Sequence, residues 1–367
     1  MINSIKKKLL NILKSIGYSI WFLLHGRIKG VIESNKHKFI EVISSKLDGK
    51  YSYNIFKIKN SRIYTDTVTD TAFIIENRII KGPSFQHRNP KNADIYSNIV
   101  FQKGTPKYKK NLNGTVFSLL TGGGGNANYW HWLFDVIPRI KILENKIDLQ
   151  EIDFFLFPDL REKFQFETLN SLDIPLEKRI SSRVFRHVQS KTAIAVDHPY
   201  VIKNNPSIEI QNLPSWILEF LRNKFLNKDK SINFPNKFYI DRKDSKSNHR
   251  HLRKIINEEE VKEFLVKKGF SILTLSDLSF KDQVNLFQNA THIVGLHGAG
   301  FANLTFCKPK TQVLELKPTS AGPVCGNLAK KINLNYQDIS IEPLENSNNN
   351  QQGFINIPLN LLEKKIS

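Results

Sequence analysis

Apolar and polar positions along the second half of the chain follow a pattern typical of alternating strands and helices. Short apolar runs predict strands at 238–241, 271–275, 292–296, 312–316 and 335–339, and helical spacing predicts a helix in each interval. The first half predicts β-rich pieces from about 41 to 88, loops at 83–90 and 103–113, strands at 116–120, 153–157, 183–188 and 192–196, and helices at 128–145 and 161–172. Strands that alternate with single helices favour a parallel, doubly wound α/β sheet in the second half.

The length and the prolines predict how the chain divides into domains. A chain of 367 residues is long enough for two separate cores. Two prolines and little hydrophobic order at 204–214 predict a linker. We therefore expect a basic N-terminal segment at 1–38, an N-terminal α/β domain at 39–210, a Rossmann-like C-terminal domain at 215–345 and a closing segment at 346–367.

The N-terminal segment combines positive charge with apolar residues at helical spacing. Residues 1–38 contain eight lysines and arginines and one acid, Glu33. Their longest uncharged stretch is too short for a bilayer, which needs about 20 apolar residues, and no signal-peptide cleavage site follows. The pattern predicts an amphipathic helix on an anionic membrane surface. A helix docked on its own protein is the alternative, because such helices are also amphipathic.

The formal net charge of +20 indicates an anionic partner. Nucleic acid, an anionic membrane and a phosphorylated substrate all fit that charge. The basic residues are scattered and no groove-reading motif is present, so nucleic acid is the weaker hypothesis. The two cysteines, Cys307 and Cys325, form no CxxC and fit neither a disulfide framework nor a zinc site, which indicates a reducing cytoplasm. Without Asp-x-Asp or HExxH we expect no metal, and without GxSxG no hydrolase elbow.

A glycine turn follows the strand expected at 292–296. His297, Gly298, Ala299 and Gly300 lead from it into a short helix at 301–306. The first amides of a helix lack internal partners and carry the positive end of its dipole, so this turn can hold a phosphate or diphosphate. Glu315, near the end of the next strand, can accept hydrogen bonds from a ribose. The glycines have neither GxGxxG nor P-loop spacing, so a turn without a ligand is the alternative.

A basic loop follows the strand expected at 238–241. The segment 241–253 includes Arg242, Arg250 and Arg253, and it leaves the same edge of the sheet as the glycine turn. Guanidinium groups can bind a diphosphate with paired hydrogen bonds. We expect Arg242 and one of the other two arginines to be functional, and a solvated basic loop is the alternative.

The helix expected at 128–145 carries a third group of polar residues. His131, Asp135 and Arg139 are spaced i, i+4, i+8 and would share one face of a regular helix, behind the glycine-rich loop at 121–126. A histidine and a carboxylate one turn apart can act as a general base and its orienting partner. The aromatic neighbours, such as Trp130, suit a sugar-binding surface. An ion-paired stripe facing solvent is the alternative.

Three segments of the chain together resemble a known family. They are NYWHWLFDVIPR at 128–139, FYIDRKDSKSNHRHLR at 238–253 and VGLHGAGFANLTFCKPKTQVLEL at 294–316. They look like glycosyltransferase family 61, the capsular-polysaccharide type, over residues 64–362. The resemblance implies a GT-B-like fold with two Rossmann-like domains facing a central cleft. It also implies a nucleotide-sugar donor, usually a UDP-sugar, bound by the C-terminal domain, and inversion without an essential metal.

The resemblance also implies roles for individual residues. His131 and Asp135 become catalytic candidates, and Asn128, Trp130 and Arg139 lie on the acceptor side. Donor-binding candidates are Arg242, Arg250, Arg253, His297, Gly298, Ala299, Gly300 and Glu315. The expected protein is a cytoplasmic hexosyl- or pentosyltransferase without cofactor, peripheral on the inner membrane face, that transfers sugar to a glycan acceptor in capsular polysaccharide synthesis. A non-catalytic glycan-binding or assembly protein of the same fold is the alternative.

Overall fold

The computed structural model describes residues 17–84, 94–122, 128–203, 205–226, 234–244, 253–344 and 353–366 of a mixed α/β protein. The chain divides into two compact units. The first comprises Met1–Ala127, Phe134–Arg161 and Ile174–Pro206, and the second Asn128–Leu133, Glu162–Asp173 and Ser207–Ser367. Residues 128–133 and 162–173 thus belong to the second unit, although they precede the linker expected at 204–214.

A mixed sheet of ten strands forms the framework of the first unit within the described residues. The strands are β1 Gly30–Ile32, β2 Ile40–Leu47, β3 Tyr51–Lys59, β4 Arg62–Thr65, β5 Thr71–Ile75, β6 Arg78–Ile80, β7 Lys110–Ser118, β8 Phe154–Phe157, β9 Arg179–Ser181 and β10 His187–Val196. β10 pairs antiparallel with β3 and β4 and parallel with β7, which continues in parallel to β8 and β9. Buried Ile58, Phe73, Val116 and Leu156 contribute to its core.

Two predictions for the first unit are wrong in detail. The loop expected at 103–113 becomes strand from Lys110 onward, because Lys110 pairs with Val188 of β10. The separate strands expected at 183–188 and 192–196 are one strand, β10, with a register shift between Ser190 and Thr192. Both errors have the same cause, since pairing with a distant strand outweighs the local pattern.

The helices of the chain are short. They are α1 at 17–25, α2 Val100–Lys103, α3 Tyr129–His131, α4 Pro138–Glu144, α5 Lys163–Ser171, α6 Pro206–Glu209, α7 Ser215–Phe225, α8 Glu258–Lys267, α9 Phe280–Asn289, α10 Val324–Lys331 and α11 Leu359–Ile366. The helix expected at 128–145 is therefore interrupted, with a π-helical turn at Trp132–Val136 between α3 and α4. Pro138 explains the interruption, since it has no N–H to bond to the carbonyl of Phe134 and its ring crowds that carbonyl.

A parallel sheet of five strands organises the second unit. Its strands are β11 Lys237–Asp241, β13 Ser271–Thr274, β14 His292–Leu296, β15 Gln312–Pro318 and β16 Asn335–Ile341, and β12 Lys254–Ile255 pairs separately with β17 Phe354–Ile355. The sheet order is β13-β11-β14-β15-β16, and every neighbouring pair is parallel. The parallel sheet predicted for this half is confirmed.

The strand order of this sheet reverses between β11 and β14. From β11 the chain passes to β13 on one side and then returns to β14 on the other. In open α/β sheets, ligands bind outside the carboxyl ends of the strands at such a switch point. The residues that follow β11 and β14 are Arg242 and His297, so two predicted site residues lie at this position.

Candidate functional site

A buried hydrogen-bond network surrounds Glu315 at the carboxyl edge of the second unit's sheet. Gly295 of β14 is paired with Glu315 of β15, which brings His297 beside the carboxylate. His297 Nδ1 donates to Glu315 Oε1, and the hydroxyl of Tyr336 on β16 donates to Oε2. The Cys325 Sγ atom of α10 lies 3.7 Å from His297 Nδ1. A hydrogen bond at each carboxylate oxygen thus joins β15 to its two neighbouring strands.

The pKa shifts in this network identify its charged member. Burial alone would raise the pKa of Glu315, but the hydrogen bond and charge of His297, with the Tyr336 hydroxyl, bring it below its ordinary value. Burial and the negative charge of Glu315 raise the pKa values of Cys325 and Tyr336. The cysteine and the tyrosine therefore stay protonated while Glu315 is a carboxylate. An anion at Oε1 assigns the ring proton of His297 to Nδ1 and leaves Nε2 as the second reactive nitrogen.

Gly326 sets the position of Tyr336. A Cβ at this position would lie 2.8 Å from the Cε1 atom of the Tyr336 ring. The absent side chain therefore lets the ring pack against α10 with its hydroxyl on Glu315.

Two arginines meet at the carbonyl of His297. Arg242 Nη1 donates to that oxygen at 2.6 Å, and Arg253 Nε donates to the same atom. Burial lowers the pKa of Arg242. Burial, and then the positive charge of Arg242, lower the pKa of Arg253 to about 10. Two guanidinium groups on one acceptor concentrate positive charge at the switch point, which favours an anionic ligand.

The glycine turn lies against these arginines. A Cβ on Gly298 would approach Arg242 Nη1 to 2.9 Å, so glycine is needed here for space, whereas its backbone is extended, with φ at 169°. Beyond it, Ala299–Phe306 forms a 3₁₀ helix rather than the helix expected at 301–306. Ala299 and Gly300 are half-buried at its start. The first amides of this helix are the phosphate-binding groups that the sequence predicted.

Glu315 occupies a different environment from the one that a ribose ligand would need. Its side chain is 0% exposed, and both oxygens already accept hydrogen bonds from the protein. A ribose could reach it only if the bond from His297 or from Tyr336 opened. In this arrangement Glu315 orients His297, and the ribose contact stays a prediction.

Residue types that bind metals converge in the same network. One ligating atom each from His297, Glu315 and Cys325 lies within 4.8 Å of the other two. Protons on His297 and Tyr336 already occupy the carboxylate oxygens, and the charge of Arg253 acts on both Cys325 and Glu315. A second cation would have to displace those protons against that charge, so the expectation of a metal-free site is retained as a prediction.

Several predicted residues lie outside the part of the chain that the structure describes. Arg250 is one of them, and residues 123–127 of the glycine-rich loop are others. Arg253 is described and contacts the carbonyl of His297. Of the two arginines considered as companions of Arg242, the structure thus brings Arg253 to the site.

The start of the interrupted helix is fixed within the second unit. The Asn128 side chain caps α3 and accepts from Trp130 N at 3.0 Å. The Tyr129 hydroxyl donates to Asn303 Oδ1 at 2.6 Å, and Trp132 Nε1 donates to Thr168 at 2.8 Å. Trp130 is buried, whereas His131 is half-buried. Asn128 thus has a capping role, and His131 retains access to solvent.

The continuation of this helix belongs to the interior of the first unit. Asp135 is 4% exposed and Arg139 is 0% exposed, so the alternative of an ion-paired stripe facing solvent is wrong for both. Arg139 Nε donates to the carbonyl of Asp135 at 2.7 Å, and His198 Nε2 lies 3.9 Å from Asp135 Oδ2. Burial lowers the pKa of Arg139 to about 10, against the opposing effect of negative charge at Asp135 and Asp197.

Sequence reasoning missed three residues of these two clusters. Tyr336 and Cys325 follow Glu315 by 21 and 10 positions, in elements that the strand order brings beside β15. Their positions in β16 and α10 were predictable as elements, but no motif marks their side chains. His198 follows β10 without a recognisable signal.

Comparison with known proteins identifies the family. The model of the family Glycosyltransferase 61 matches residues 129–314, which is half of the chain. The chain belongs to this glycosyltransferase family, and the resemblance expected from its motifs is confirmed. A beta-1,2-xylosyltransferase of Arabidopsis thaliana is 33% identical over 98 residues, which covers 22% of this chain and 18% of the relative. The chain therefore matches less than a fifth of that relative's length.

Proposed function

We propose that the protein is an inverting glycosyltransferase that transfers a sugar from a nucleotide diphosphate donor, a UDP-sugar, to a glycan acceptor without a metal. The observation that carries the proposal is the convergence of Arg242 and Arg253 on the carbonyl of His297, at the switch point of a parallel sheet. Family membership supports the transfer of sugar. Synthesis of surface or capsular polysaccharide is the proposed setting.

The proposed donor site stabilises the leaving diphosphate. As the glycosidic bond breaks, negative charge grows on the β-phosphate, and fixed positive groups beside it lower the barrier. Arg242, Arg253 and the amides at the start of the 3₁₀ helix supply that charge. His297 contributes Nε2, because Glu315 occupies Nδ1. This arrangement does the electrostatic work that a divalent ion does in other transferases.

The proposed base acts on the acceptor hydroxyl. An inverting transfer needs one group to remove the proton while the hydroxyl attacks the anomeric carbon. His131 is our candidate because it is half-buried, and a neutral imidazole can take a proton at physiological pH. Asp135, which is buried, is proposed as its partner.

Architecture and sugar complete the proposal. The five-stranded order β13-β11-β14-β15-β16 supports a Rossmann-like, donor-binding half of a GT-B enzyme. The name of the Arabidopsis relative makes a pentose, xylose, one candidate for the transferred sugar beside the hexoses. We also propose a cytoplasmic protein held peripherally at the inner membrane face; within the described residues, no helix has the length and hydropathy of a membrane span.

The alternative is a non-catalytic glycan-binding or assembly protein with the same fold. Such a protein would bind the donor or the glycan without releasing a nucleotide diphosphate. Its distinguishing result is therefore binding without turnover, which separates it from an enzyme in one assay.

The test measures donor binding and turnover with and without chelator. UDP should raise the melting temperature of the protein in the presence of EDTA, because a ligand that binds the native state stabilises it. Incubation with a panel of UDP-sugars and a glycan acceptor should then release UDP. A melting shift that needs a divalent ion would contradict the metal-free site, and UDP binding without release from any sugar would favour the non-catalytic alternative.

A further inference from the structure

Helix α1 and the loop that contains Tyr108 form one surface of the first unit. The Trp21 ring lies edge-on against the Tyr108 ring, with centroids 5.0 Å apart. His25 Nε2 contacts the carbonyl of Lys107 at 3.2 Å. We call this the α1–Tyr108 surface; it consists of residues 17–25 and 105–109. These contacts fix the helix and the loop together as one face.

The outer side of this surface is apolar. Leu23 is 88% exposed, Leu24 is 62% exposed and Ile20 is 52% exposed, and Tyr108 beside them is 82% exposed. Positions i, i+3 and i+4 share one side of a helix. A helix docked on its own protein would turn this side inward, so that alternative does not fit the described residues.

The inner side of the helix explains why these leucines face outward. The Phe22 ring lies so close to Gly104 that a Cβ there would approach it to 2.7 Å. The Arg27 guanidinium sits 4.6 Å from the centroid of the same ring. Phe22 thus holds the helix on the unit, and its orientation places Leu23 and Leu24 on the opposite side.

The charge around the surface is of one sign. Residues 1–32 contain six lysines and arginines and no acid. Exposed Lys107, Lys109 and Lys110 surround Tyr108, and the chain has no acid from residue 95 to residue 134. Apolar side chains inside a basic border match a membrane with anionic headgroups. Tyrosine and tryptophan suit the headgroup region because their rings are amphipathic.

We propose that the α1–Tyr108 surface docks on an anionic phospholipid membrane, with Leu23, Leu24 and Tyr108 inserted between headgroups. A second copy of the chain is a poor occupant because it would bring two basic borders together. The inference deepens the peripheral location proposed above by naming the surface. Its test measures lipid binding alone, so its outcome and that of the transferase assay are independent.

The experiment is sedimentation of the full chain with vesicles. Vesicles of phosphatidylcholine alone are compared with vesicles that also contain phosphatidylglycerol, at low and high salt. Leu23→Glu/Leu24→Glu removes the apolar side, and Tyr108→Ser removes the loop's contribution without changing a helix. Leu176→Glu is the matched control, since Leu176 is 67% exposed elsewhere on the first unit. Melting temperatures and circular dichroism show whether each variant is folded.

We expect the wild-type chain and Leu176→Glu to sediment with anionic vesicles in a salt-sensitive manner. The double variant should lose at least about tenfold in partitioning, and Tyr108→Ser about threefold, because inserted apolar area is lost. Equal binding of a folded double variant and the wild type, or no lipid binding by the wild type, would overturn the proposal. A wild-type dimer that the double variant converts to a monomer would instead assign the surface to self-association and would also overturn it.

Discussion

The switch point of the second unit and the interior of the first unit both gather charged side chains, yet they balance charge differently. At the switch point Arg242 and Arg253 share one neutral carbonyl, while the nearby carboxylate of Glu315 is already bonded to His297 and Tyr336. In the first unit, the buried charge of Arg139 faces the negative charges of Asp135 and Asp197.

This difference separates a binding function from a structural one. A buried charge with opposite charges around it is balanced by the protein itself, and its loss leaves the partner unpaired. Positive groups that converge on a neutral acceptor leave capacity for an anion. We therefore expect substitutions in the first-unit cluster to change stability and substitutions at the switch point to change ligand affinity.

The largest expected effect tests whether the base lies at the half-buried His131. His131→Ala should lower turnover by roughly 10²–10⁴-fold and leave UDP affinity nearly unchanged, because a base acts on the acceptor and not on the nucleotide. The measurement is kcat with a saturating donor, together with calorimetric UDP binding. Near-full turnover in His131→Ala with none in Asp135→Asn would exchange the roles, and activity in both variants would place the base elsewhere.

The second effect concerns stability. Arg139→Met should lower the free energy of unfolding by about 3–5 kcal/mol, because it leaves buried Asp135 without its opposite charge. Urea denaturation measures it. Arg242→Met is the companion variant at the switch point and should cost only about 1 kcal/mol. Similar losses in the two variants would break the distinction between the regions.

The third effect concerns donor affinity. Arg242→Ala should weaken UDP binding by roughly ten- to hundredfold, since a charge-assisted hydrogen bond contributes about 1.5–3 kcal/mol. Glu315→Ala should weaken it to a similar degree because His297 loses its orienting partner. Lys243→Ala is the control: Lys243 is the exposed neighbour of Arg242, so a solvated basic loop would make the two residues equivalent. Calorimetric titration that finds equal losses in Arg242→Ala and Lys243→Ala would support that alternative.

How far the sequence could reach is visible in this pair of regions. The apolar runs identified every strand of the five-stranded sheet to within three residues at either end, and the end of β14 placed His297 at the edge. The nature of the contacts was less accessible. Glu315 could be placed in a buried strand, but its partner Tyr336 depends on the pairing of β15 with β16, which no local pattern encodes.

The first unit was harder to predict because its sheet is built from distant pairings. β10 joins antiparallel strands from residues 51–65 to the parallel strand β7, so its polar start and its register shift are set by partners far along the chain. The break at Pro138 was readable as a helix-breaking residue, but the π turn it produces was not. That turn invalidates the regular helical face assumed for His131, Asp135 and Arg139.

The smallest effect refines the switch point by geometry alone. Gly298→Ala should weaken UDP binding by about three- to tenfold, because its Cβ would displace the Arg242 guanidinium by a few tenths of an ångström without changing any charge. Gly322→Ala is the control, since a Cβ at Gly322 meets no atom within 4 Å. The two variants are compared by calorimetric titration. Unchanged affinity in Gly298→Ala would mean that the position of this guanidinium does not limit binding.

The packing of the Tyr336 ring on Gly326 has a consequence for how such sequences can diverge. Any side chain at position 326 would collide with the ring, and a smaller residue at position 336 would leave Glu315 without its second donor. Neither position can change alone without disturbing the carboxylate that holds His297. Across homologues that retain this network, we expect the two positions to covary, so that a helix position with no ligand contact carries a record of the histidine's orientation.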